Sequence, residues 1–186
     1  MENTAKKPLF TTRELCETAL GAALITVCAW ISIPAAVPFT LQTFAVFLIA
    51  GLLGLKRGFL SVLVYLLLGA VGLPVFAGFK GGPAALVGVT GGYLLGFLLS
   101  ALAVGLLTER FGRSLPVLIS SMVLGLLLCY AFGSVWFMVL YTRSQGPITL
   151  LSVLSLCVFP FLPADGAKIL LAALLTKRLR KLLKIV

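Results

Sequence analysis

The sequence has little charge and no histidine. Only 11% of its 186 residues are charged, whereas 61% are apolar, and a soluble domain carries about a quarter charged residues. So few charges cannot cover a water-exposed surface, which predicts a protein whose solvent is lipid. The absence of histidine excludes the zinc sites of metalloproteases, and the absence of a P-loop means that energy must come from another chain or an ion gradient.

Acidic residues are also scarce, with five against 15 basic residues and a net charge of +10. Such a charge could indicate a nucleic-acid partner, but basic residues beside apolar runs are typical topology signals of membrane proteins. We therefore expect membrane lipid and no nucleic acid. The four cysteines lie in or beside apolar segments without CxxC spacing, so we expect packing residues rather than a disulfide or metal framework: Cys16, Cys28, Cys129 and Cys157.

The apolar residues group into six runs. A helix needs about 20 residues to cross a hydrocarbon core of about 30 Å. We therefore predict an all-α, six-transmembrane-helix bundle that forms one membrane domain over residues 1–186. The second and third runs are short, so a re-entrant hairpin over 40–73 is the alternative. The predicted spans are 14–33, 40–55, 58–73, 84–107, 115–142 and 149–176.

Basic residues predict the orientation of these spans. Four groups, at 6–13, 56–57, 110–113 and 177–184, hold 12 of the 15 basic residues, and six spans place all four groups on one side. By the positive-inside rule that side is the cytoplasm, so both termini are expected to be cytoplasmic in a bacterial-type plasma membrane. The terminal segments are then 1–12, which has no apolar stretch and predicts no cleaved signal peptide, and the basic segment 177–186.

Two segments on the predicted outer side, 34–42 and 72–83, are rich in proline or glycine but poor in polar residues. The second is too broken for a helix. An apolar loop gains nothing from facing water. We therefore expect both segments to fold back over the helices as a plug or lid.

Asp165 and Lys168 are predicted to lie inside the last span. Asp165 precedes Lys177 at the basic boundary by 12 residues, or about 18 Å of helix, and Lys168 follows on the same face. A charge at such depth costs about 2.5–3.5 kcal/mol on insertion scales. The pair either compensates its own charges or forms the polar end of a ligand pocket, and we favour the pocket. Pro160 and Pro163 would leave backbone carbonyl groups free to face it.

Further polar candidates stand at the starts of the second and fourth spans. Thr40 is a candidate helix cap, and Gln42 can both donate and accept hydrogen bonds. Glycines repeat every four residues over 88–96, which indicates close helix packing. Gly91 and Tyr93 could instead let a ligand approach the backbone and meet a hydroxyl group.

On the first helix, Ala19 and Ala23 form a face of small residues. Such a face packs either within a bundle or against another membrane protein. The sequence does not choose between these two possibilities.

Four motifs in order resemble the BioY family, which comprises the biotin-binding S components of energy-coupling-factor (ECF) transporters. Together they cover about residues 13–180, and Val89 departs from the family pattern, in which proline is expected. The motifs are Pro38-Phe-Thr-Leu-Gln42, Gly72-Leu-Pro-Val-Phe-Ala77, Thr90-Gly-Gly-Tyr-Leu94 and Pro163-Ala-Asp-Gly-Ala-Lys168.

The resemblance implies an S-component fold with an outer biotin pocket covered by the loop between the first two helices. Asp165 and Lys168 would bind the ureido head, assisted by Gln42 and Tyr93, while Phe39 covers the apolar body. The biotin carboxylate would be held either by backbone N–H groups around Gly91 or by Lys168 itself.

The resemblance also implies partners. The alanine face at Ala19 and Ala23 would dock onto a transmembrane coupling protein, the T component, which works with two ATPase subunits. ATP would be used only by those subunits, and no cofactor or metal is expected in this chain.

Two other classes of function compete with this one. An intramembrane enzyme is disfavoured because the single aspartate excludes a two-aspartate protease and no GxSxG motif is present. A Ser–Lys dyad that uses Lys168 lacks a placed serine motif, so we expect no enzyme. A stand-alone ion-coupled carrier that uses Asp165 is the remaining alternative.

Overall fold

The computed structural model describes residues 10–35 and 37–183. The prediction of a helical fold is confirmed. After the first helix, a two-stranded sheet takes the place of an irregular loop, with strands β1 (Ser32–Ile33) and β2 (Phe39–Thr40). A 3-10 turn covers Ala77–Phe79. The helices are α1 (Thr12–Trp30), α2 (Gln42–Ala70), α3 (Pro83–Val87), α4 (Gly91–Phe111), α5 (Leu115–Gln145), α6 (Leu150–Cys157) and α7 (Leu162–Leu183).

Helix α2 folds back on itself at Gly54. This residue has φ 79° and ψ −168°, a conformation that glycine adopts without the steric cost of a side chain. Gln42 Nε2 donates to Tyr65 OH across 2.6 Å, although 23 residues of straight helix would separate them by about 34 Å. Helix α2 therefore consists of two antiparallel segments, α2a (42–53) and α2b (55–70), which correspond to the second and third predicted runs.

Length and composition qualify three described helices, α2, α4 and α5, to cross a membrane. The α6–α7 pair is bent by 52° and adds a fourth span if the two helices are taken together. Helix α1 has 19 residues, with three charged side chains in its first two turns. The lengths support a multi-pass membrane protein, and the number of spans depends on whether α1 and each half of α2 cross.

Two predicted spans are interrupted. The predicted helix 84–107 is instead the five-residue α3 followed by α4, because Gly88 adopts an extended conformation (ψ 175°) between them. The predicted helix 149–176 is divided into α6 and α7. The break between these two helices contains Pro160, which cannot donate a helical hydrogen bond. Both interruptions lie at the same end of the bundle and leave irregular backbone there.

Basic and acidic residues meet at the opposite end, around the turn between α2a and α2b. Glu17 of α1 pairs with Arg57 at an O···N distance of 2.5 Å. Glu109 of α4 accepts a hydrogen bond from a backbone N–H of this turn at 2.8 Å. Arg180 of α7 donates to a backbone carbonyl oxygen of the same turn at 3.1 Å. These contacts bring two of the predicted basic groups, 56–57 and 177–184, to one end of the bundle, and Glu109 places the neighbouring group 110–113 beside them. Lys6, Lys7 and Lys184 lie outside the described residues.

The segment 72–83 folds over the helix ends and is fixed there by aromatic side chains. Phe76 is buried and meets Tyr65 edge-to-face, with ring centroids 5.4 Å apart. Trp30 stacks on Phe79 at 5.1 Å and donates from Nε1 to the carbonyl oxygen of Pro74 at 2.8 Å. The segment therefore has a defined position against α1 and α2.

The four cysteine thiols are free. Cys28, Cys129 and Cys157 are buried, in agreement with the prediction that they are packing residues. That prediction is wrong for Cys16, which is exposed because its face of α1 points away from the bundle.

Candidate ligand-binding site

A cavity of about 490 Å³ lies at the end of the bundle away from the cluster of arginines and glutamates. Its walls come from residues 37–43, from residues 76–90 and from helices α4, α5, α6 and α7. The volume falls in the range of about 300–1,000 Å³ typical of small-molecule sites. The cavity is therefore large enough for a vitamin-sized ligand.

One end of the cavity carries the Asp165–Lys168 ion pair, in the first two turns of α7. The side chains are almost fully buried, and Lys168 Nζ lies 2.8 Å from Asp165 Oδ1. Lys168 Nζ also donates to the carbonyl oxygen of Thr40 in β2 at 2.6 Å. The lysine therefore joins α7 to the β1–β2 hairpin beside the cavity.

Two hydroxyl groups complete the surroundings of Asp165. Thr43 Oγ1 donates to Oδ1 at 3.0 Å, and Tyr130 OH donates to Oδ2. Both residues line the cavity. We did not predict either one, although a lone tyrosine in the middle of an apolar run signals a hydroxyl group that needs a partner.

Gln42 lies beside this network at the start of α2a and is 3% exposed. Its Nε2 donates to Tyr65, and Thr40 Oγ1 accepts from the Gln42 N–H at 3.1 Å. The N-cap of α2 is Leu41, so the prediction that Thr40 caps the helix is wrong, and Thr40 instead accepts from the first helical N–H one residue further out. Gln42 itself lines the cavity.

Tyr93 lines the cavity from the first turn of α4, and its hydroxyl group lies 3.1 Å from Ser134 Oγ. Gly91 does not reach the cavity. Its N–H donates to the carbonyl oxygen of Gly88 at 2.9 Å, and a Cβ placed there would lie 1.8 Å from the carbonyl oxygen of Leu86. Gly91 thus permits close packing of α4 on α3, and its N–H is already bonded.

Phe39 is not a wall of the cavity but supports its polar end. Its ring stacks on Phe161 with centroids 5.7 Å apart and lies 4.3 Å from Lys168 Nζ, a cation–π arrangement. Ala19 and Ala23 are far from this site, on the outward face of α1, where both are exposed.

The structure thus brings together Gln42, Tyr93, Asp165 and Lys168 around one cavity, with Phe39 behind them. A multi-pass helical bundle with an apolar cavity that ends in a buried ion pair defines a membrane protein that binds a small molecule.

Comparison with known proteins identifies the family within that class. The family model described as BioY family matches residues 1–185, and the chain belongs to this family. It is a multi-pass protein of the plasma membrane and a transport protein rather than an enzyme.

Relatives from distant organisms agree. The chain is 48% identical to the biotin transporter BioY of Thermotoga maritima, over 91% of this chain and 97% of the relative. It is 39% identical to the probable biotin transporter BioY of Pyrococcus horikoshii, over 90% and 96%. A solved structure, the S-component for biotin from an ECF-type ABC transporter, matches with a TM-score of 0.81 at 30% identity, over 92% of this chain and 95% of that one.

Proposed function

We propose that this protein is the high-affinity, biotin-binding S component of an ECF-type transporter. The observation that carries the proposal is the buried Asp165–Lys168 pair at the end of the 490 Å³ cavity. A buried ion pair is costly to maintain in a membrane protein, and such pairs mark substrate sites. The names of the relatives and of the matching structure supply the ligand.

The hydrogen-bonding capacity of the pair suits the ureido head of biotin, which has two N–H donors and one carbonyl acceptor. Asp165 has about four lone-pair positions and accepts three hydrogen bonds, from Lys168, Thr43 and Tyr130. One position on Oδ2 is left for a ureido N–H. Lys168 uses two of its three protons, so the third can bind the ureido carbonyl. Gln42 Oε1 can accept the second N–H.

The rest of the cavity suits the apolar body of biotin. Phe97, Leu94 and Phe161 provide aliphatic and aromatic walls, and their contact with the bicyclic ring would remove apolar surface from water. The β1–β2 hairpin and the segment 72–83 cover the site from the outer side.

The proposed topology has six membrane-crossing units. These are α1, α2a, α2b, α4, α5 and the bent α6–α7 pair. The arrangement is supported by the reversal at Gly54 and by the gathering of basic residues at one end, which the positive-inside rule assigns to the cytoplasm. The cavity then opens toward the outside, where biotin is captured.

Inward delivery requires partners, because the chain has no motif for using ATP. We propose a T component and two ATPase subunits as these partners, and the likeness to the S-component of an ECF-type ABC transporter supports such an assembly. The outward face of α1, with Ala19 and Ala23 exposed, is the proposed contact with the T component, since small residues let helices approach closely.

The geometry disfavours the ion-coupled carrier that uses Asp165. Three donors, one of them a lysine ammonium group, hold the carboxylate. A carrier must release and rebind its ion at that carboxylate, and this requires breaking the ion pair in each cycle.

Titration calorimetry of the purified protein with biotin tests the proposal. We expect saturable binding at one site per chain in the absence of ATP, and loss of binding in Asp165→Asn and in Lys168→Ala. Glu109→Gln, which removes a charge at the opposite end of the bundle, is the matched control and should bind normally. Full affinity in both site variants would refute the assignment of the site, and absence of binding by the folded wild type would refute the function.

A further inference from the structure

Two arginines, Arg110 and Arg113, lie at the end of the bundle away from the cavity. Arg110 is exposed in the last turn of α4, and Arg113 is half-buried in the connection to α5. The Arg113 guanidinium group lies against the turn of α2, since its Nη2 is 2.7 Å from where a Cβ of Gly54 would be. Within residues 10–35 and 37–183, neither side chain makes a hydrogen bond or an ion pair, and Arg113 Nε is buried without a partner. Both guanidinium groups therefore have unused donors.

Positive charge exceeds negative charge around Arg113. Burial lowers the pKa of Arg113, and the positive charge of Arg180 lowers it further, while Glu109 opposes both effects. Glu109 also accepts a backbone N–H of the turn of α2 at 2.8 Å, and Glu17 pairs with two further arginines, of α1 and α2b. Four arginines thus share two carboxylates that already have donors, and the remaining positive charge favours an anion.

The connection between α4 and α5 adds backbone donors beside Arg113. Helix α5 begins at Leu115, with neither a side-chain cap nor an acidic residue in its first turn. The first N–H groups of a helix lack partners within it and favour negative charge. Gly112, with φ 81°, lets the chain turn from one helix into the next. Arg113 is therefore only two residues from helix N–H groups that an anion would complement.

Apolar side chains beside these arginines indicate where the anion comes from. Leu106 and Phe111 are exposed, and a shallow groove is lined by Leu106, Leu107, Glu109 and Arg110. Helix α4 is long and apolar enough to cross a membrane, so its exposed leucines face acyl chains and the arginines at its end lie at the level of the headgroups. A soluble phosphate ester would use the charges but not the apolar groove.

We propose that Arg110 and Arg113 bind the phosphate group of an anionic phospholipid, whose acyl chains lie along the groove at Leu106. A guanidinium group presents paired donors that match two phosphate oxygens. The inference goes beyond the proposed function and does not depend on biotin, because it requires only that the protein lies in a membrane. In the proposed orientation the lipid belongs to the cytoplasmic leaflet, where anionic lipids give the surface a negative potential.

Native mass spectrometry of the purified protein tests the site, because it counts the lipids that stay bound. Dioleoyl phosphatidylglycerol is compared with dioleoyl phosphatidylcholine, in which choline cancels the charge of the phosphate. We expect wild type to bind one phosphatidylglycerol per chain, about tenfold more tightly than phosphatidylcholine. Arg110→Gln/Arg113→Gln should lose this preference. The matched control Lys177→Gln/Arg178→Gln removes two exposed charges from α7 and should keep it.

Two further comparisons make the test specific. Arg113→Lys keeps the charge but not the paired donors, so it should bind phosphatidylglycerol several-fold more weakly, and circular dichroism should show that every variant is folded. Glycerol 3-phosphate has the phosphate without acyl chains and should not displace the lipid at equal concentration. Displacement by glycerol 3-phosphate would overturn the assignment to a lipid. The site itself would be overturned by an absence of preference in wild type, by full affinity in the double arginine variant or in Arg113→Lys, or by an equal loss in the control.

Discussion

Replacing Asp165 with asparagine should destabilise the protein, because it keeps the shape of the side chain and removes its charge. Lys168 would then carry an unpaired charge while only 7% exposed. Breaking a buried pair by removing one partner costs about 3–5 kcal/mol, against a total stability of about 5–15 kcal/mol for a typical protein. Asp165→Asn and Lys168→Met should each cost an amount in this range.

The double variant separates the effect of charge from that of packing. Asp165→Asn with Lys168→Met leaves no unpaired charge, so it should cost less than the sum of the two single variants by about 2 kcal/mol or more. Unfolding in mixed detergent micelles, followed by the fluorescence of Trp30 and Trp136, measures all four proteins. Additive costs would show that the two charges do not stabilise each other, and the account of the ion pair would be wrong. All three variants should lose biotin binding. The double variant should therefore recover stability without recovering binding.

Other predictions concern the remaining contacts. Tyr130→Phe removes one hydrogen bond to the buried carboxylate, so calorimetry should show a biotin affinity about tenfold lower. Unchanged affinity would show that Tyr130 does not contribute to binding. Gly54→Ala should destabilise the protein more than Gly112→Ala. Both glycines have a positive φ, but only the Cβ at position 54 would meet another side chain, at 2.7 Å from an arginine nitrogen. Equal decreases in the thermal unfolding temperature would contradict this. In a background without native cysteines, an impermeant thiol reagent applied to intact cells should label Arg143→Cys and not Arg110→Cys, and the reverse pattern would invert the proposed orientation.

The helical fold and most helix boundaries followed from the sequence because apolar run length is read directly from composition. The turn at Gly54 lies at the end of the predicted run 40–55, two residues before the gap at 56–57. The division of the fourth span at Gly88 and the pairing of β1 with β2 did not follow, because the residues involved are as apolar as their neighbours. What distinguishes them is backbone conformation, which hydropathy does not encode.

The candidate site was partly predictable. Asp165 and Lys168 stood out because a charge inside an apolar run needs a partner. Thr43 and Tyr130 did not, because hydroxyl groups occur throughout membrane helices and only packing across 122 and 35 residues of sequence reveals their target. The sequence could not show what lies against Gly91, because a close approach by a ligand and one by a neighbouring helix both favour glycine.

A structure of the protein with biotin bound would show directly whether the Asp165–Lys168 pair holds the ureido head of the ligand. We expect the ureido ring at the end of the cavity that carries the ion pair, with an N–H within hydrogen-bond distance of Asp165 Oδ2 and the ureido oxygen within reach of Lys168 Nζ. Biotin in the reverse orientation, or bound outside this cavity, would contradict the account.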